Sequence, residues 1–238
     1  MQRILLLGGT REARIIAADL AAMPDCEATL SLAGVTSSPP ETGLPTRIGG
    51  FGGPEGMAAW IKDNAITTLV DATHPHAAGI SANAARAATM TGIRRLCLWR
   101  PGWQPEQGDD WQEYADWSGL VAAIPDDAVV FLTAGQDGIR ALAGESRFRV
   151  VARALENPVE AAGLTFIPSL PARDWHEEAA VFRQHGITHL VAKNSGGTAS
   201  QAKLIAARHL SVPVLMLARP APPPPPLFAD IKSLMQAL

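Results

Sequence analysis

The chain has 238 residues, enough for one large domain or two small ones, and 47% of them are hydrophobic, which suits a globular protein with a substantial core. A net charge of −3 excludes the strong positive field that nucleic acid or an anionic membrane surface would need, so neither is expected as a partner. The cysteines Cys26 and Cys97 each lie in or beside an apolar run, and no CxxC or Cys/His spacing is present; they predict reduced core thiols and no metal centre.

In chain order, residues 4–7 form a short continuous apolar run ending in Gly8-Gly9, the pattern of a buried parallel strand. The run is too short for a signal segment or a membrane span, so the cytoplasm is the expected compartment. Thr10 then caps a predicted helix with Ala13, Ile16, Ala17 and Leu20 on its apolar face, stopped by Pro24. Residues 28–32 are the next strand, so the opening reads β–turn–α–β, the start of a doubly wound sheet. A short strand at 47–48 leads into "GGFGGPEG", where Pro54 opens a helix carrying Met57, Trp60 and Ile61. A strand at 69–70, a helix at 81–90 and a strand at 96–98 follow. Residues 100–117 hold two prolines and three tryptophans with little periodicity, and mark a junction. Beyond it, strands are predicted at 129–132, 149–152, 190–192 and 214–217, with helices at 175–184 and 199–208. The proline run 222–226 predicts an extended segment, and Leu227, Ile231, Leu234, Met235 and Leu238 a closing amphipathic helix.

One sentence is written twice. "ITTLVDATHP" at 66–75 and "ITHLVAKNSG" at 187–196 share an apolar run that breaks into polar residues. Each is followed by an alanine-rich segment, a further apolar run and an Arg-Pro pair, Arg100-Pro101 and Arg219-Pro220. The doubling predicts an α/β protein of two Rossmann-like, doubly wound parallel-sheet domains, residues 1–102 and 103–238, with a cleft between them for a cofactor and a substrate. Ligands of such sheets bind beyond the carboxyl ends of the strands, where helix N-termini present their N–H groups.

The loops at those ends supply the candidate site. Gly8, Gly9, Thr10 and Arg11 suit a nucleotide's phosphates, although the run is not G-x-G-x-x-G. The stretch 31–38, after the second strand, carries Ser31, Gly34 and Ser37 and no carboxylate, which favours NADP over NAD because no acid there repels a 2′-phosphate. Five glycines within residues 49–56 suggest close approach of backbone to a flat ligand, with Gly50 and Gly52 flanking Phe51, which either stacks on that ligand or fills the core. Asp71, Thr73, His74, His76 and Ser81 cluster after the next strand; Asp71 and His74 are candidate proton donors and Thr73 a cofactor contact. The echo of this loop offers Lys193, Asn194 and Ser195 with the amides of Gly196, Gly197 and Thr198 as an anion cradle at a helix N-terminus. Arg100, Arg153, Arg173 and Arg219 lie near strand ends and suit a substrate with several carboxylates. The lone tyrosine, Tyr114, is followed at the fourth place by Ser118, which argues against a Tyr-x-x-x-Lys reductase.

Taken in order, "ILLLGGTREAR", "SLAG", "RIGGFGGPEGMAAW", "DATHPHAAGISANAARAA", "RPGW", "GDDW" and "VAKNSGGTASQAKLIAARHLSVPVLMLARP" resemble the precorrin-6A reductases of cobalamin (vitamin B12) biosynthesis from residue 4 to about residue 220. The resemblance implies two Rossmann-like domains and NADPH-dependent reduction of one double bond in a polycarboxylate tetrapyrrole, precorrin-6A, giving precorrin-6B without a bound metal or flavin. The alternatives are the same reaction on the cobalt-loaded substrate and an NADPH-binding protein that never oxidises its ligand. The chain departs from the family pattern at Val35, where many relatives carry a basic residue, so Ser37, Ser38 or another group supplies the 2′-phosphate contact. It departs again at "ARDW", residues 172–175, where relatives often carry "RGPF" and only Arg173 remains.

Overall fold

The computed structural model describes residues 1–34, 42–154 and 164–238. The first apolar run is strand β1 (Gln2–Leu7). Ile4 and Leu6 point into one hydrophobic cluster and Leu5 and Leu7 into another, because successive strand residues face opposite sides of a sheet. A strand covered on both faces has to be apolar throughout, which is why the run does not alternate.

The chain forms two compact units, Met1–Pro101 with Pro220–Leu238, and Gly102–Arg219. In the first, β1 is followed by α1 (Arg11–Ala21), β2 (Cys26–Leu32), β3 (Thr46–Ile48), α2 (Gly53–Asp63), β4 (Thr68–Asp71), α3 (Ala78–Thr91) and β5 (Arg94–Leu98). Thr10 caps α1, its Oγ1 accepting from the amide of Ala13, and Ala13, Ile16, Ala17 and Leu20 are buried as the spacing predicts. On the opposite face Met57, Ala58 and Ile61 of α2 and Ala84 and Ala87 of α3 cover Leu5, Leu7 and Leu69.

The second unit contains β6 (Trp111–Tyr114), α4 (Trp117–Ala122), β7 (Val129–Leu132), α5 (Gly135–Leu142), β8 (Arg149–Arg153), β9 (Leu164–Ile167), α6 (Trp175–His185), β10 (His189–Lys193), α7 (Ala202–His209) and β11 (Val214–Leu217). The chain then enters β12 (Leu227–Phe228) and α8 (Ile231–Gln236). Leu120, Ile139 and Leu142 pack on one face of the second sheet with Val130 and Leu132, and Phe182, Leu204 and Ala207 on the other with Phe131.

All the strand pairs described are parallel. The sheets run β12-β5-β4-β1-β2-β3 and β6-β11-β10-β7-β8-β9. Read from β3 and from β9, both follow the doubly wound Rossmann order with β1 and β7 as counterparts. The sixth place in each is filled by exchange: β6 follows β5 in sequence yet joins β11, and β12 follows β11 yet joins β5. The two Arg-Pro pairs lie where the chain passes from one unit to the other.

That exchange corrects the expected second domain of 103–238. Residues 220–238 belong with the first unit because β12 pairs with β5, Arg94 and Arg95 donate to the carbonyls of Ala237 and Pro224, and Leu234 is fully buried with Ile4, Leu6 and Leu96. Leu227, expected in the closing helix, opens strand β12 instead. Within the proline run the Pro225–Pro226 peptide bond is cis. Among the described residues no helix is long and apolar enough to cross a membrane.

Candidate functional site

At the carboxyl edge of the first sheet, Gly8 is closely packed: a Cβ there would lie 2.7 Å from Leu30 Cδ1, which would have to shift. Gly9 has φ of +113°, and none of the described residues lies within 4 Å of where a Cβ would stand. Thr10, expected to donate to phosphate, donates instead to the carbonyl of Ala72 at 2.8 Å while capping α1. Its single proton is therefore committed to tying the β1 loop to the β4 loop. Arg11 is exposed on the first turn of α1. Ser31 is buried at the end of β2, and Gly34 turns with φ of +83°; Ser37 lies outside the described residues.

The glycine-rich stretch turns from β3 into α2. Gly56 is fixed by the fold, because a Cβ there would lie 1.8 Å from the carbonyl oxygen of Phe51. Gly52 is the left-handed N-cap of α2. Gly50 differs from both. It has no positive φ, and none of the described residues lies within 4 Å of where its Cβ would be. Phe51 meets Trp60 edge to face with centroids 5.9 Å apart, and the Arg47 guanidinium lies 3.7 Å from its ring centre. The ring thus packs against the protein on two sides.

Asp71 ends β4 and is 1% exposed. Its Oδ1 accepts from the amide and the hydroxyl of Thr73 at 3.1 and 2.7 Å, and its Oδ2 lies 3.8 Å from Cys97 Sγ. Burial, and then the Asp71 charge, push the Cys97 thiol up to about 12, so it stays protonated. These contacts turn Asp71 toward Thr73, so its side chain shapes the loop. Thr73 Oγ1 also lies 3.3 Å from Ser81 Oγ, anchoring the loop to α3. His74 is half-buried, and its Nδ1 accepts from the amide of His76 at 3.2 Å, which places the proton of the neutral ring on Nε2. Arg100, after β5, pairs with Glu12 of α1 at 3.5 Å; burial first, opposed by Glu12, lowers its pKa.

In the second unit, Asn194 joins two loops. Its Oδ1 accepts from the amide of Trp103 at 2.8 Å, and its Nδ2 donates to the Trp103 carbonyl and to Glu113, both at 3.1 Å. Trp103 Nε1 donates to the carbonyl of Gly197 at 2.8 Å. "RPGW" and "KNSGG", far apart in sequence, are thus one bonded structure. Beside it is a cavity of about 470 Å³ lined by Gly102, Gln104, Trp111, Glu113, Asn194 and Arg219, among others.

Ser195 and Gly196 are buried and Thr198 is exposed, but α7 begins at Ala202, so the expected cradle lies in the loop ahead of the helix. Lys193 pairs with Asp137 at the start of α5 at 2.8 Å, and that hydrogen bond is the largest cause holding the Asp137 carboxyl below its usual range. Arg153 is buried and makes a two-pronged pair with Glu178 at 2.6 and 3.0 Å, so it holds α6 to β8. Arg173 is exposed in the turn before α6. Among the described residues no group of three or more His, Cys, Asp or Glu is placed to hold a metal.

The sequence reading missed Arg47, Trp103 and Glu113 as site components. A cation two residues ahead of a glycine run was the available signal for Arg47; the other two depend on long-range pairing that spacing does not encode.

Residues 3–238 match the family model described as Precorrin-6x reductase CbiJ/CobK. The chain belongs to the precorrin-6x reductase family. Within that family, the precorrin-6A reductase of Rhodococcus erythropolis is 44% identical over 94% of this chain and 92% of its own length. A solved structure of a precorrin-6A reductase superposes with a TM-score of 0.92 at 37% identity, covering 100% of this chain and 96% of that one. The cobalt-precorrin-6A reductase of Priestia megaterium is 28% identical over 91% of this chain and 90% of its own length. As a precorrin-6x reductase, the chain is an oxidoreductase of cobalamin biosynthesis.

Proposed function

We propose that this chain reduces one double bond of precorrin-6A, with NADPH bound at the carboxyl edge of the first unit's sheet and substrate carboxylates held by the loops of the second. Gly50 carries the cofactor assignment. Neither a positive φ nor crowding by the described residues calls for a glycine there, and the bare backbone is open to close approach by a ligand. Gly9 offers a second bare stretch of backbone beside the α1 N-terminus, where phosphates are favoured.

When bound, NADPH supplies the hydride. The protein's part is to hold and to orient. Gly9 and Arg11 receive the phosphates, Ser31 and Gly34 the adenosine ribose, and Gly50 and Gly52 the flat part of the ligand. Asp71 and Thr73 fix the β4 loop so that His74 delivers a proton from Nε2. In the second unit Arg219, Ser195 and the amides of Gly196, Gly197 and Thr198 take carboxylates, with Asn194 setting the loop. Arg100, Arg173 and Lys193 add positive charge near strand ends, which suits a polycarboxylate. The greater identity to a relative named for precorrin-6A favours that substrate over its cobalt form. Two free cysteines fit a cytoplasmic enzyme.

Anaerobic absorbance with metal-free precorrin-6A and NADPH, with NADH in parallel, tests the reading. A change in the tetrapyrrole spectrum coupled to NADPH oxidation is expected. Turnover of the cobalt form alone moves the substrate to cobalt-precorrin-6A. Binding of NADPH with no oxidation on either tetrapyrrole overturns the assignment in favour of a dinucleotide sensor.

A further inference from the structure

Arg47 lies on β3 directly opposite Ser31 of β2, at the carboxyl edge of the first sheet. Its Nη1 donates to the carbonyl of Gly49 at 2.5 Å and to Ser31 Oγ at 3.2 Å, and its Nη2 to the carbonyl of Gly50 at 2.6 Å. Its guanidinium lies over the Phe51 ring. A long side chain with about 2 kcal/mol of rotamer entropy is therefore already ordered before any ligand arrives. Among the described residues its three hydrogen-bond partners are neutral, and none of these cancels its charge. A guanidinium has five N–H donors, and these bonds use three.

The place matters as much as the group. In a Rossmann sheet the end of β2 faces the adenosine ribose: an acid there holds a free 2′-hydroxyl, and an arginine accommodates a 2′-phosphate. Here β2 ends in Ser31 and Leu32 with no acid, and the neighbouring strand brings Arg47 within 3.2 Å of the serine hydroxyl. We infer that Arg47, positioned by Ser31, Phe51 and the Gly49 and Gly50 carbonyls, binds the 2′-phosphate of the dinucleotide and sets the preference for NADPH over NADH. The inference rests on the cofactor reading above and names the residue that gives it specificity.

Calorimetric titration of the full chain separates the two. Wild type and the variants Arg47→Gln and Arg47→Lys are titrated with 2′,5′-ADP, 5′-AMP, NADPH and NADH. Wild type should bind 2′,5′-ADP at least about tenfold more tightly than 5′-AMP, the scale of one charge-assisted hydrogen bond. Arg47→Gln should lose about tenfold or more for 2′,5′-ADP and NADPH while 5′-AMP and NADH stay within about threefold. Arg47→Lys should fall between, keeping the charge and losing the planar fork. Unchanged discrimination in Arg47→Gln overturns the role of Arg47 and leaves the NADPH reading standing. Equal loss for all four ligands also overturns it, because Arg47 then only shapes the glycine loop. A wild type that prefers NADH or binds neither dinucleotide overturns the cofactor reading itself.

Discussion

At the scale of single residues, the same kind of residue does opposite work in different places. Gly50 has nothing to avoid among the described residues, so Gly50→Ala should leave thermal stability within about 0.5 kcal/mol while weakening NADPH binding about tenfold or more by titration. Arg153 was legible as an arginine at a strand end, but not as the partner of Glu178, because α6 is brought to β8 only by the tertiary fold. Arg153→Met should therefore cost about 3–5 kcal/mol in denaturant unfolding, since it leaves a fully buried carboxylate without its main partner. A rise in the tetrapyrrole KM at unchanged stability would restore Arg153 as a substrate ligand. Lys203 is 5% exposed near this pair, and burial, opposed by Glu178 and reinforced by Arg153, lowers its pKa from 10.5 to about 8. Between those values the unfolded chain keeps the proton and the native chain lacks it, so this group makes stability rise with pH. The contribution is roughly 3 kcal/mol at most by the top of that window. The difference in unfolding free energy between wild type and Lys203→Met should isolate it from Cys97, whose raised thiol acts in the opposite direction above pH 9. A difference that does not change between pH 8 and 10.5 would refute the assignment.

At the scale of elements, legibility followed burial. β1, β7 and β10 lie inside their sheets and read as apolar runs. β6 was hidden in the supposed junction because "WQEY" is an edge strand with a half-buried tryptophan and tyrosine and two exposed polar residues. α5 was hidden because "GQDGIRAL" carries two glycines, and the second admits the close approach of Leu132 and Trp117. α7 starts later than expected because the glycine loop is drawn aside by Asn194 and Trp103 before the helix begins. The start of α2 shows the reverse dependence, where a helix needs its glycine for room. Gly56 is on the first turns and its missing side chain accommodates the Phe51 carbonyl. Gly56→Ala raises helix propensity yet should destabilise the protein by about 2–4 kcal/mol in thermal or denaturant unfolding, because the atom to be displaced is backbone. A stabilised variant would mean that the turn from β3 into α2 differs from the one described.

At the scale of the whole chain, the repeat was legible because both halves need the same buried strand before the same kind of loop, and the exchange of edge strands was not. Nothing in "LFADIKSLMQAL" states which β-sheet edge it will join, since either unit offers a parallel edge beside a fifth strand. Pairing Leu227 and Phe228 with Cys97 and Leu98 decides it, and α8 then closes the cluster around Ile4, Leu6 and Leu96. A lesion in the last residues should therefore be felt at the first strand. Leu234 is 0% exposed, and Leu234→Asp would put a carboxylate among aliphatic side chains, a change worth more than about 3 kcal/mol. Hydrogen exchange gives the test its location. The amides of β1 and β5 should lose protection while those of β7 and β10, whose covering helices are α4 to α7, keep theirs. Loss of protection confined to β10 and β11 would place the tail on the second unit and return the boundary to where the sequence alone had put it.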